Sequence, residues 1–284
     1  MKKTVVRPAM VLGPTSEAAA GGCRSGTGAS IHARQITKIY GSGETAFHAL
    51  GPIDLDIKAG EFVSLIGPSG CGKSTTMLLT SGLEPLSSGT IQIDEKPLTA
   101  PITEVGIVFQ DHLLLEFRTA IKNVMLQQEI RGLDKIEMRE RADTLFRRLD
   151  LIGAEDRYPW QLSGGMRQRV SIARALVHDP SMLLMDEPFG ALDAISRTQI
   201  RHDLEMLWLD TRKTVLFITH SIDEAIGLSD RVLVMSKAPG RIIEEIKIDL
   251  ARPRPAHLGE YPDFARYANR IYDIFQKLGV YKFS

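Results

Sequence analysis

The chain has 284 residues, 43% of them hydrophobic and 25% charged, and its 35 Lys plus Arg balance 35 Asp plus Glu. This is the composition of an ordinary globular protein with ample core, one large domain or two small ones at about 150 residues each. It excludes a strongly basic nucleic-acid binder and a disulfide scaffold, and no segment approaches the roughly 18 to 20 consecutive apolar residues of a membrane-spanning helix.

Residues 1–30 are rich in Gly, Ala, Ser and Thr and read as a disordered leader. Arg7 and Pro8 interrupt the only apolar stretch near the start, so no secretory signal is expected. Cys23 and Cys71 suit a reducing compartment. The stretch 31–40 is β-branched enough for a strand, although its alternation is poor. Ile53, Leu55 and Ile57 alternate cleanly with polar residues, and 62–66 is a short apolar run ending in glycine. Further strands are predicted at 90–93 and 105–109. From Thr119 to about Leu151 the period becomes helical, with both charge signs on the solvated face. Short buried-strand runs return at 182–185, 215–218 and 232–235. Helical stretches separate most of these runs, which predicts an α/β fold with a largely parallel sheet. The Arg-Pro pairs at 252–255 precede a last helix, with Phe264, Tyr267, Ile271, Ile274, Phe275 and Leu278 on one stripe. That stripe packs on its own domain or docks on a partner, since periodicity alone does not name what covers it.

The chemistry begins at residues 67–75. Gly67, Pro68, Ser69, Gly70, Cys71, Gly72, Lys73 and Ser74 match G-x-x-x-x-G-K-[ST], between a strand and a helix. Glycines let successive backbone N–H groups turn toward phosphate oxygens, and the helix N-terminus adds partial positive charge. In such a loop Lys73 reaches the β- and γ-phosphates and the Ser74 hydroxyl ligates Mg2+. Asp186, ending an apolar strand, fits the second magnesium position. Glu187 beside it can orient or deprotonate an attacking water. Together these motifs point to a nucleotide hydrolase or switch. Cys71 lies near a helix N-terminus and Lys73, a setting that lowers a thiol pKa, so maleimide inhibition with protection by ATP is expected.

Leu162-Ser163-Gly164-Gly165-Met166-Arg167-Gln168-Arg169 supplies a second anion-binding helix start. This run resembles the signature motif of the ATP-binding-cassette (ABC) ATPases. The resemblance extends over 31–250 with the motifs in family order. It implies a P-loop ABC ATPase cassette with a mainly parallel core sheet, an antiparallel β subdomain, and a helical subdomain, about 111–178, carrying the signature; 251–284 is a tail with an amphipathic helix. By that resemblance Tyr40 stacks on adenine, and Thr75 belongs to the phosphate loop. Gln110 is the glutamine lid that senses magnesium. Ala191-Leu192-Asp193 crosses a dimer, and His220 is the switch histidine at the γ-phosphate. Ser163, Gly164 and Gly165 serve the nucleotide held by the partner copy.

The segments 115–124 and 235–245 further resemble the nitrate/sulfonate/taurine-type importer branch. That branch often has Pro-Trp where this chain has Glu116-Phe117. The resemblance implies ATP and Mg2+, a homodimer of the ATPase, integral-membrane permease subunits and an extracytoplasmic solute-binding protein. It also implies a peripheral place on the cytoplasmic face of the inner membrane and no nucleic-acid partner. The alternative is a soluble ABC ATPase acting on nucleic acid or ribosomes. The short spacing between Ser74 and Leu162 and the single cassette count against it. Glu187 with His220 counts against a switch protein without turnover.

Overall fold

The computed structural model describes residues 28–255 and 257–280, so most of the expected leader lies outside the described residues. Gly28, Ala29 and Ser30 belong to the fold. Ala29 is buried and donates its N–H to Ser181 O, and Ser30 N–H donates to Asp94 Oδ1.

In chain order the strands are β1 (Ile31–Tyr40), β2 (Phe47–Ile57), β3 (Phe62–Ile66), β4 (Ser88–Ile93), β5 (Lys96–Pro97), β6 (Val105–Val108), β7 (Met182–Asp186), β8 (Thr214–Ile218), β9 (Arg231–Met235) and β10 (Ile242–Lys247). The helices are α1 (Lys73–Thr80), α2 (Ala120–Val124), α3 (Leu126–Arg131), α4 (Lys135–Arg148), α5 (Gly164–Leu176), α6 (Ala194–Thr211), α7 (Ile222–Leu228) and α8 (Phe264–Lys277). Two sheets result. One is antiparallel in the order β2-β1-β4-β5. The other runs β10-β9-β3-β8-β7-β6 and is parallel except for β10.

The five-residue strands β3, β7 and β8 are buried along their whole length. Both faces are covered, which is why they read as continuous apolar runs. Their side chains divide with period two. Leu183, Met185, Val215 and Phe217 join the helices of 120–207, while Leu184, Leu216 and Ile218 join α1 and the antiparallel sheet.

The poor alternation of β1 has a local cause. Ala33 pairs with Leu55 and Ile36 with Ile53, so one extra residue bulges out of β1. Gln35 takes a left-handed φ of +48° there, held by Asp54 through its N–H and its side-chain amide, both at 2.8 Å. The bulge shifts the inward phase from Ile31 and Ala33 to Ile36 and Lys38.

The tail packs on its own chain. Tyr267, Ala268, Ile271 and Phe275 of α8 close over α7 and Ile246. The Arg-Pro pairs strap this tail down: Arg252 bonds Glu205 and Asp230 at 2.9 and 3.0 Å, and buried Arg254 donates to Ile226 O and Ser229 O.

Trp208 anchors the helical side. It is 2% exposed, meets Phe62 edge-on at 5.7 Å, lies beneath the guanidiniums of Arg212 and Arg252, and donates Nε1–H to Lys213 O at 2.8 Å. Trp208→Phe keeps most of the apolar volume but leaves that carbonyl unpaired, an expected loss of about 1–3 kcal/mol. Trp208→Ala also opens a cavity and should lose about 3–5 kcal/mol. Urea unfolding of the two variants checks the order and the gap.

Candidate functional site

The parallel register brings four strand ends to one edge of the larger sheet. Leu65 is level with Ile218, and Ile218 with Asp186, while Val108 is level with Met185. The segment leaving each strand therefore lies outside the same edge, where ligands of open parallel sheets bind. The 67–72 loop leaves β3, Asp186 closes β7, Thr219-His220 leaves β8, and Gln110 lies just past β6.

The loop after β3 is held by close backbone approach. Gly70 and Gly72 have φ of +73° and +98°, conformations that side chains rarely adopt. A Cβ on Gly72 would lie 2.8 Å from Ala49 O. From the other side Gly240, after β9, comes so near that a Cβ there would lie 1.8 Å from Cys71 O. Its N–H donates to Ala49 O, and its carbonyl accepts from Gly51 N–H. Loop, β2 and the 236–240 turn thus form one packed unit. Lys73, 6% exposed, donates Nζ to Gly67 O at 2.9 Å and to Pro68 O at 3.0 Å, which centres the ammonium in the loop. Ser69, Gly70 and Ser74 are exposed.

Asp186 is buried, with the Ser74 hydroxyl near its carboxyl. Burial pushes that carboxyl above the usual carboxylate range, the Ser74 hydroxyl pulls it back, neighbouring Glu187 raises it, and Lys73 lowers it. A hydroxyl and a carboxylate side by side are hard oxygen donors, the set that suits Mg2+ bound with substrate phosphates. Glu187 has a left-handed φ of +43°, and its N–H donates to Ile218 O at 2.8 Å. A non-glycine residue held there carries local strain. Its Oε2 lies 3.0 Å from His220 Nδ1, and the imidazole is 60% exposed.

Other expected site residues fall elsewhere. Ser163 caps α5, its Oγ accepting from Met166 N–H, and a Cβ on Gly165 would sit 3.7 Å from Ser196, so the starts of α5 and α6 are neighbours. Gly164 faces open space. Asp193 caps α6 through Ser196 and Ile195 N–H, and Ser196 above all, with Ile195 adding to it, holds its carboxyl below its ordinary range. Among the described residues no hydrogen bond joins this group to the phosphate loop. Tyr40 pairs with Phe47, two residues before Ala49, and Lys38 Nζ lies 4.9 Å from its ring centre.

The thiol expectation is overturned. Cys71 is fully buried beneath the loop, near the position a Gly67 Cβ would take, and burial pushes its thiol up despite Lys73. Helix position and a cation lower a thiol only where the thiolate is solvated. Sequence reasoning places Gly240 only within the 235–245 resemblance and gives it no part in this loop. Pro239-Gly240 is visible as a turn signal, but nothing local shows that the turn meets residue 71.

Strand order, phosphate loop and paired acids define a P-loop nucleotide-binding cassette. Comparison with known proteins narrows this. The ABC transporter family matches residues 50–190. An uncharacterized ABC transporter ATP-binding protein of Methanocaldococcus jannaschii is 43% identical over 246 residues, 87% of this chain and 91% of the relative. The taurine import ATP-binding protein TauB of Escherichia coli (strain K12) is 45% identical over 204 residues, 72% of this chain and 80% of its own. The dimeric structure of an ATP-binding cassette in a post-hydrolysis state bound to ADP and Pi superposes with a TM-score of 0.68, at 32% identity over 78% of this chain and 100% of that one. The chain belongs to the ABC transporter ATP-binding family and is an ATPase.

The loop packing has two testable consequences. Gly240→Ala must displace the Cys71 carbonyl and should weaken ATP binding by about tenfold or more, a factor worth about 1.4 kcal/mol. Gly51→Ala, whose Cβ would meet only the flexible Arg241 side chain at 3.0 Å, should bind within about twofold of wild type. Equilibrium binding of a fluorescent ATP analogue distinguishes them. For Cys71, maleimide labelling of the folded chain should be slow with or without ATP and become fast in denaturant.

Proposed function

We propose that this chain is the energising subunit of an importer. It would bind and hydrolyse ATP for a separate integral-membrane permease that takes up a small anion or organic solute of the nitrate, sulfonate or taurine kind. The observation that carries the hydrolytic part is the 3.0 Å contact between Glu187 and His220, next to the buried carboxyl of Asp186. The solute class rests on the 45% identity to a taurine import protein. The relatives named above are transport proteins, which favours an importer over an ATPase acting on nucleic acid. No helix among the described residues is long and apolar enough to cross a membrane. Attachment at the cytoplasmic face would come through the permease, with an extracytoplasmic solute-binding protein delivering the solute. Phe117, 74% exposed, and Leu113 offer apolar surface for the permease beyond Gln110. Asn123 pins that loop, bonding Leu115, Arg118 and Thr119.

The cassette would run over 31–250, with a helical subdomain at about 111–178 and a tail from 251. Two copies would pair so that Tyr40, the loop from Gly67 to Thr75, Gln110, Asp186, Glu187 and His220 of one chain meet Ser163, Gly164, Gly165 and Asp193 of the other. Ser74 and Asp186, with Gln110, would hold Mg2+, which supplies charge neutralisation on the β- and γ-phosphates. Lys73 and the loop N–H groups bind the same oxygens. Glu187 holds a water in line with the γ-phosphorus and takes its proton as the new P–O bond forms. The β–γ bridging P–O bond breaks, and ADP and phosphate leave. His220 orients Glu187 and faces the γ-phosphate. Loss of that phosphate removes the charge shared by the two chains, so the dimer opens.

Glu187→Gln should bind ATP with near-normal affinity, form a stable dimer in ATP and hydrolyse it at least about a hundredfold more slowly. Single-turnover hydrolysis and light scattering read these outcomes. Normal turnover in that variant would remove Glu187 from the reaction.

A further inference from the structure

We propose that Arg197 and Glu224 are a positioning pair that sets the contact between Glu187 and His220; the inference rests on the catalytic roles given above to those two residues. Glu187 and His220 leave different strands, β7 and β8, so their 3.0 Å approach depends on how the two exits are held. A chain of hydrogen bonds from each side, joined by one ion-pair contact between Arg197 and Glu224, holds them; Arg197 Nε is buried with no hydrogen-bond partner of its own. On the β7 side, Glu187 O accepts from Gly190 N–H at 3.1 Å and Phe189 O from Leu192 N–H at 3.2 Å. Leu192 O then accepts from Arg197 Nη2 at 3.0 Å. Arg197 Nε lies 3.6 Å from Glu224 Oε1. On the β8 side, Glu224 Oε2 accepts from the Thr219 hydroxyl, and Thr219 directly precedes His220. Ser221 N–H donates to Thr219 Oγ1 at 3.0 Å, and Ser221 Oγ caps the Glu224 N–H. These contacts therefore start and end on the reacting pair.

The energetics favour geometry over stability as the role. The Glu224 side chain is 6% exposed, and burial pushes its carboxyl up, against the Thr219 bond and the Arg197 charge. Such pairs add little net stability, because desolvation offsets most of the attraction, yet removing one partner is costly. A cavity of about 530 Å³ opens beside Arg197, Ser221 and Glu224, so the guanidinium keeps solvent on one side while the carboxylate does not. In the proposed dimer the Leu192-Asp193 segment faces the other chain. The pair would thus carry the arrival of that chain to His220.

The test is a double-mutant cycle on the full-length chain with Arg197→Ala, Glu224→Gln and the double variant, read as kcat, KM and equilibrium ATP affinity well below each variant's Tm. Wild-type turnover and its collapse in Glu187→Gln are the references, and their failure would overturn the site assignment itself. With those references intact, each single variant should lose about tenfold or more in kcat with ATP affinity within about twofold. The double variant should be no worse than the poorer single, because either change breaks the same series of contacts. Arg197→Lys should recover part of the loss. The inference is overturned if kcat stays within about twofold of wild type, if the two losses multiply, or if ATP affinity falls in step with kcat. Glu224→Gln conserves size and an acceptor for Thr219, so it stays informative if Arg197→Ala does not fold.

Discussion

The site depends first on the register of three parallel strands. Leu65, Ile218 and Asp186 stand level across β3, β8 and β7. A slip of one residue would turn every side chain of a strand to the other face, and both faces here are buried. The two cores are packed by different residues, so such a slip would misfit both of them. Phosphate loop, carboxylates and histidine meet because Val63, Leu65, Leu184 and Leu216 face one core while Phe62, Leu183 and Phe217 face the other.

A second constraint acts on the loop itself. Its glycines allow curvature, but its position comes from what presses on it. Ala49 on one side and Gly240 on the other leave no room for a Cβ at Gly72 or Gly240. The antiparallel sheet and the β9–β10 turn are thereby tied to the phosphate loop through backbone contact. Backbone contact offers no rotamer through which strain could relax. The same packing buries Cys71 and sets its chemistry: a position that would activate an exposed thiol instead makes a small apolar wedge.

Much of this is legible in the sequence where the signal is local. The runs at 62–66, 182–185, 215–218 and 232–235 are strands, and the phosphate loop opens α1 as its spacing requires. Legibility fails where the determinant lies far along the chain. The irregular pattern of β1 is a bulge held by Asp54, nineteen residues away. Arg252 and Arg254 stand in the sequence only as Arg-Pro pairs ahead of a helix, whereas they fasten the tail to Glu205 and to the carbonyls around Ser229. The α8 stripe is visible, but its cover, α7 with Ile246, is a tertiary fact. Arg197 and Glu224 are 27 positions apart on separate helices, and neither has a motif that announces a link to His220.

The adjacent acids Asp186 and Glu187 are turned toward different neighbours. Strand alternation sends consecutive side chains to opposite faces. Asp186, the last residue of β7, turns its carboxyl to Ser74 within reach of the Lys73 charge, where burial raises it and a hard cation with the substrate's phosphates would be its natural partner. Glu187 is the first residue beyond the strand. Its left-handed φ breaks the alternation and aims its carboxylate along the edge toward His220. Bonds at both ends of residue 187 hold that strained conformation, its N–H to Ile218 O and its carbonyl to Gly190 N–H. The different directions of the two carboxyls thus go with the backbone at residue 187, held by Ile218 of β8 and by Gly190.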